Sequence, residues 1–148
     1  MDIAKYQNEF PIVEKYNFMN HAGVAPISRR VAAAIRHYAD MTCDSADLEG
    51  NFYKRAEVVR HSAAKLIHAD ATEITFVKNT TEGISFVANG LSWKSGDNVI
   101  ITNVEFPANV YPWWNLESQG VQVRRVEEAD GRIPLERLID MIDSRTRI

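Results

Sequence analysis

The sequence predicts an α/β fold built on a mostly parallel sheet flanked by helices, and three observations carry that prediction. From residue 74 onward, short runs rich in β-branched and aromatic residues alternate with segments of helical periodicity. One run, Asn98-Val99-Ile100-Ile101-Thr102, is almost continuously apolar, as a strand covered on both faces should be. The intervals between strand candidates are long enough to hold helical crossovers, which parallel neighbours require.

The elements follow in order. Residues 1–27 read as an irregular lead-in, with Pro11 and Pro26 interrupting any helix. Ser28 is an N-cap candidate for a helix over 29–43 whose apolar stripe is Val31, Ile35, Tyr38 and Ala39. A second helix is expected over 50–68, with Phe52, Ala56, Val59, Ala63, Leu66 and Ile67 on one face. Ile74-Thr75-Phe76-Val77 reads as a short strand, and Thr80–Trp93 as a helix with Ile84, Val87, Ala88 and Leu91 inward. A turn at Lys94–Asp97 leads into the strand at 98–102. A short helix is expected between Ala108 and Ser118, ended by Gly120, then a strand over Val121–Val126. Ala129–Arg132 is a turn, and Pro134 opens a last helix reaching about Asp143. Ser144–Ile148 reads as the approach to a further strand, so the sheet is expected to be incomplete, with an open edge.

Composition narrows the function classes. An apolar share of 45% and a charged share of 25% over 148 residues are those of an ordinary globular domain. The net charge of -3 is spread along the chain, and Arg124-Arg125 is followed at once by Glu127-Glu128. No basic surface for nucleic acid is expected. Cys43 is the single cysteine, so no internal disulfide can form, and it reads as a small, partly buried side chain near a helix end. No basic start followed by an apolar run opens the chain, and no stretch approaches bilayer length. The expectation is a cytoplasmic protein with no membrane partner.

Two segments could carry chemistry. Phe76-Val77-Lys78-Asn79-Thr80-Thr81-Glu82-Gly83 joins a strand candidate to a helix through two hydroxyl residues. Free N–H groups in the first turn, the positive end of the helix dipole and the hydroxyls of Thr80 and Thr81 suit a phosphate dianion. The other reading makes Asn79 a plain N-cap, with Glu82 completing a capping box. A P-loop is excluded, because no glycine-rich run ends in Gly-Lys-Ser/Thr. The segment from Thr102 to Trp114 lies at the carboxyl end of the next strand, where open α/β sheets place ligands. Phe106 there can stack on a planar ring, or can serve, as Trp113 and Trp114 are expected to, as a core or interface aromatic.

These segments are in register with a known family. Asn79-Thr80-Thr81-Glu82-Gly83-Ile84, Gly96-Asp97-Asn98-Val99-Ile100-Ile101 and Glu105-Phe106-Pro107-Ala108-Asn109-Val110-Tyr111-Pro112-Trp113 resemble, in order and spacing, the class V aminotransferases. That group contains cysteine desulfurases, selenocysteine lyases, isopenicillin-N epimerase-like proteins and kynureninases. Phe18-Met19-Asn20-His21-Ala22-Gly23-Val24-Ala25-Pro26 is similar to the family's opening segment, and the resemblance runs from about residue 16 to the end.

The resemblance implies the N-terminal part of a type I pyridoxal 5'-phosphate (PLP) dependent transferase fold, with 28–148 as the first, incomplete part of the PLP-binding large domain. It further implies a homodimer acting on a small-molecule amino acid. Thr80 and Thr81 would bind the cofactor phosphate and Phe106 would cover one face of the pyridine ring. Asn20, His21 and Ala22 would lie near the substrate end, although His21 also suits a plain surface or capping role.

Two departures stand out. Where desulfurases of the family carry His after the segment's Glu, this chain has Phe106, which can stack but cannot transfer protons. That turns the expectation from desulfuration toward transamination, epimerisation or Cα/Cβ lyase chemistry. The family's Asp partner of the pyridine nitrogen and its Schiff-base lysine come later than Ile148, and Lys78 does not match that lysine. No catalytic residue and no metal ligand are therefore assigned. The expectation is an enzyme fragment without turnover of its own, or alternatively a non-catalytic binding or interaction module derived from the fold.

Overall fold

Ser28 sets the first helix boundary. Its backbone is extended, and its hydroxyl accepts a hydrogen bond from the Val31 N–H at 3.3 Å, so α1 begins at Arg29 and runs to Ser45. The structure is a computed structural model that describes residues 6–46, 48 and 50–148. The chain divides into two compact units, Met1–Ile74 and Thr75–Ile148, each taken by itself below.

In the first unit the described lead-in is irregular apart from helical Tyr6 and Gln7 and a 3-10 turn at Pro11–Glu14. Arg29 fastens it to α1: its backbone N–H donates to the Glu9 carbonyl at 2.8 Å and its Nε to the Asn8 carbonyl at 2.9 Å. Helix α2 spans Phe52–Ile67, and Tyr38 meets Phe52 edge-on, with ring centroids 5.3 Å apart. The anticipated stripes exist but are not covered within the described residues. Val31, Ile35 and Tyr38 on α1, and Val59, Leu66 and Ile67 on α2, are all exposed, while Ala64 is buried. Cys43 is exposed as well, not partly buried, since its face of α1 is left open to solvent. After α2, Asp70 caps the 3-10 turn Ala71–Glu73 by accepting the Thr72 N–H and hydroxyl, each at 2.9 Å. Those donors hold the Asp70 carboxyl below its usual range.

The second unit corrects one expected strand. Ile74–Val77 has no ladder partner among the described residues and forms no strand. Its β-branched and aromatic side chains favour extended backbone, but a strand also needs a neighbouring edge. Helix α3, Thr80–Gly90, stops three residues before Trp93. Trp93 instead folds back and donates its indole N–H to the Ala88 carbonyl at 2.6 Å, taking one of the helix's last free acceptors.

Strand β1, Asn98–Thr102, pairs in parallel with β2, Gln122–Val126, in the register Asn98 to Gln122 through Thr102 to Val126. The single helix expected between them is three short pieces. A 3-10 turn at Pro107–Asn109, the α-helical turn α4 at Tyr111–Trp114 and a 3-10 stretch at Asn115–Gln119 follow one another. Pro107 and Pro112 each lack an N–H, which breaks one continuous helix into turns. Gly120 closes the run in the left-handed region, at φ 81°. Beyond β2, Ala129 and Arg132 exchange N–H···O bonds around the expected turn, and α5 covers Leu135–Asp140.

The last residues run along the other edge of β1. Asn98 bridges Thr146 in parallel, and the Ile100 N–H donates to the Ile148 carbonyl at 2.8 Å. The layout is thus a small two-stranded parallel sheet with helices, as the alternation predicted. Its core is Ala88, Val99, Ile101, Trp113, Leu116 and Val121, with Ile84, Trp93, Val110 and Val123 packed against it.

A polar node fixes that sheet edge. Asn98, fully buried, donates its amide to Asp143 Oδ1 at 3.0 Å and accepts the Thr146 hydroxyl at 2.9 Å. Arg124 Nη1 donates to Asp143 Oδ2 at 2.6 Å. The Arg145 N–H, then Arg124 and then Asn98 stabilise the Asp143 carboxylate, lowering its pKa to about 2.

Candidate functional site

The start of α3 is shaped by Asn79 and Glu82. Asn79 is extended and its Oδ1 accepts the Glu82 N–H at 2.9 Å, a side-chain N-cap. Glu82 does not complete the anticipated box on Asn79. Its Oε2 accepts the Lys78 N–H at 2.7 Å, one residue earlier, and its Oε1 lies 3.3 Å from Lys78 Nζ. Lys78 is thus paired with Glu82 at the solvent surface.

Thr80 and Thr81 occupy the first turn and are exposed. Among the described residues nothing accepts their backbone N–H groups, and their hydroxyls have no hydrogen-bond partner. Two N–H and two O–H donors therefore stand together at the positive end of an 11-residue helix dipole. That donor set fits a phosphate group.

Phe106 lies past the carboxyl end of β1 and is 75% exposed, with no ring partner among the described residues. Its carbonyl accepts the Asn109 N–H at 2.8 Å, which opens the turn Pro107–Asn109, and that turn packs against α3. The helix that presents the threonines is thus in contact with the turn that follows Phe106. Trp113 is the core aromatic that the sequence suggested, 5% exposed, its indole N–H donating to Asn109 Oδ1 at 3.1 Å. Trp114 lies nearer the surface, with the Arg125 guanidinium 4.7 Å above its ring and Tyr111 edge-on.

In the first unit, Asn20 Oδ1 accepts the Gly23 N–H at 3.1 Å, forming a tight local turn. His21 meets Phe18 edge-on at 5.0 Å and faces a mostly apolar cavity of about 490 Å³ with Tyr6, Phe10, Ile12 and Pro26. Ala22, which follows His21, is exposed. His21 thus lines a cavity and is itself exposed.

One participant was not visible in sequence alone. The parallel register sets Thr102 opposite Val126, so the residues just after them also meet. Asn103 donates its amide to Glu127 Oε2 and its Oδ1 accepts the Glu128 N–H at 2.9 Å. Its backbone N–H donates to the Val126 carbonyl at 3.0 Å. An Asn just past a strand carries no distinctive signal until the strand pairing is known.

Comparison with known proteins gives the family and the fold. The sequence pattern of the family described as aminotransferase class-V matches residues 17–148, and the chain belongs to that family. A probable cysteine desulfurase of Methanothermobacter thermautotrophicus is 30% identical, over 96% of this chain and 37% of the relative. A cysteine desulfurase of Enterobacter sp. (strain 638) is 34% identical, over 99% of this chain and 40% of the relative. Among solved structures, the cystine C–S lyase C-DES in complex with cysteine persulfide superposes with a TM-score of 0.80 at 20% identity, over 93% of this chain and 38% of that one. The cysteine desulfurase CsdA from Escherichia coli does so with a TM-score of 0.75 at 23% identity, over 99% and 40%. The chain therefore has the fold of the N-terminal portion of these enzymes, and spans about two fifths of the length of the relatives it matches.

Proposed function

We propose that these residues form the phosphate-binding front part of a PLP-dependent enzyme acting on an amino acid. The observation that carries this reading is the unpaired donor set of Thr80 and Thr81 at the capped start of α3, on a chain of the class-V aminotransferase family. In this reading Thr80 and Thr81 hold the cofactor phosphate through hydroxyl and backbone donors, and Phe106 lies on one face of the ring. PLP, when bound, supplies the electron sink that makes a substrate Cα–H or Cα substituent labile.

Asn20, His21 and Ala22 are assigned to the substrate, on the resemblance of their segment and the cavity beside His21. The domain division at residue 28 and a homodimeric state belong to the same proposal. The two sequence relatives named above are cysteine desulfurases, one of them a probable one, and Phe106 separates this chain from the desulfurase pattern. A phenyl ring moves no proton, so proton transfer at that face falls to another group. Transamination, epimerisation or Cα/Cβ lyase chemistry is accordingly the reaction class proposed for the whole enzyme.

The test separates phosphate recognition from condensation of an aldehyde with surface lysines. Pyridoxine 5'-phosphate, which has no aldehyde, is titrated against the chain beside pyridoxine. Hydrogen bonds to a charged partner contribute about 1.5–3 kcal/mol each when well placed. Exposure of both threonines discounts this, so the expected loss is at least roughly tenfold in affinity for Thr80→Val/Thr81→Val and for the ligand lacking phosphate. Equal binding of the two ligands, or an unchanged double variant, refutes the reading.

A further inference from the structure

We infer that Asn103 is a positioning residue: it holds the loop after β1 so that the Phe106 ring is presented in one place to a flat heterocycle. This rests on the reading of Phe106 as the ring-stacking residue.

The Phe106 ring has no aromatic partner among the described residues and is three-quarters exposed, so packing does not fix it. Its position depends on the backbone of residues 103–106, which lies outside any helix or strand. Few bonds anchor that stretch. The Thr102 hydroxyl donates to Glu105 Oε1 at 3.2 Å, and the Asn109 N–H donates to the Phe106 carbonyl from the far side. Asn103 supplies the rest through three partners on the segment leaving β2: the Val126 carbonyl, the Glu127 carboxylate and the Glu128 N–H.

The side chain is suited to this because it has a donor and an acceptor on one short stem. The Glu128 N–H needs an acceptor and the Glu127 carboxylate needs a donor, and Asn103 meets both at once. Glu128 extends the anchor by accepting the Gly131 N–H at 2.9 Å, so the turn Ala129–Arg132 is held as well. Both strand exits are therefore bound together at the carboxyl edge of the sheet, where ligands of open α/β folds sit. An unpinned loop would have to lose conformational freedom when the ring stacks, which weakens stacking without touching the phosphate donors.

The test uses the full 148-residue chain with pyridoxine 5'-phosphate and inorganic phosphate as probes. Asn103→Ala is expected to weaken pyridoxine 5'-phosphate about two- to tenfold, the range for loss of a stacked ring, and to leave inorganic phosphate unchanged. Combined with Phe106→Ala it should add nothing, because the two act through one contact. Asn103→Asp keeps the acceptor for Glu128 but sets two carboxylates together. Adding Glu127→Gln restores a donor, and ring affinity should return. Without ligand, amide relaxation of Glu105 and Phe106 should show lower order parameters in Asn103→Ala, with Val99–Ile101 unchanged.

Additive losses in the Asn103/Phe106 pair, or equal weakening of phosphate and pyridoxine 5'-phosphate, overturn the inference while the threonine site stands. Unaltered loop relaxation does the same. Wild-type binding that ignores Thr80→Val/Thr81→Val overturns both the inference and the reading beneath it.

Discussion

Gly120 and Gly90 offer a paired perturbation whose two members should move stability in opposite directions. Gly120 ends the run before β2 at φ 81°, where a side chain costs about 1–2 kcal/mol. A Cβ built there would lie 2.6 Å from Ser95 Oγ, 3.1 Å from Ser95 Cβ and 3.3 Å from its Cα. The hydroxyl can rotate away, but the Cβ and Cα cannot move without shifting the turn. That turn is bonded back to the same place, since the Gly96 N–H donates to the Gly120 carbonyl at 2.9 Å. Overpacking of this kind adds about 1–3 kcal/mol, so Gly120→Ala should destabilise by roughly 2–5 kcal/mol. Gly90 is the last residue of α3, and a Cβ there meets nothing within 4 Å. Gly90→Ala should stabilise by about 0.4–1 kcal/mol through the unfolded chain's lost freedom.

The assay is urea unfolding followed by tryptophan emission. Trp93, Trp113 and Trp114 all lie in the unit that holds both glycines, so the signal reports that unit alone. The midpoints should fall on either side of wild type, with unchanged slopes. Midpoints displaced in the same direction would refute the argument, because composition is identical in the two changes and only φ and the neighbour differ.

Two further outcomes follow from the same unit. Leu116 is fully buried in the core, and Leu116→Ala should cost about 2–5 kcal/mol, read as a lower urea midpoint, whereas Leu135→Ala on the exposed side of α5 should change it little. Asp143 has a carboxyl pKa depressed to about 2 by the Arg145 N–H, Arg124 and Asn98. A depressed folded value means that its contribution is complete above the unfolded value, about 4, and fades as pH falls through about 2. Unfolding midpoints measured from pH 5 to pH 2 should therefore drop, and Asp143→Asn should flatten that drop; an equal slope in the variant would assign the effect to other carboxylates.

Residues with local, short-range instructions were legible in sequence. Ser28 and Asn79 cap their helices because a short polar side chain reaches an N–H two or three residues ahead, whatever surrounds it. The apolar run at 98–102 had to become a strand covered on both faces, and Gly120 had to close a turn. Thr80, Thr81 and Phe106 could be singled out because their chemistry depends on neighbours in sequence and on a family pattern. The segment at 144–148 read as an approach to a strand, and it does lie parallel along β1.

What required tertiary structure was every feature that depends on a partner distant in the chain. Ile74–Val77 has strand-like residues, yet pairing is a property of two segments, and no second segment meets it among the described residues. Periodicity gave the stripes of α1 and α2 their residues but not their covering, so Ile35 and Leu66 are apolar and exposed. Glu82 was free to close a box on Asn79 and instead binds Lys78, a choice between acceptor geometries one residue apart. Asn103 and Asp143 became significant only when a parallel register brought 127–128 beside one and residues 98 and 124 beside the other. Local chemistry sets which backbone conformations and which donors exist; long-range hydrogen bonds and packing, whose energies depend on three-dimensional proximity, select which of them meet.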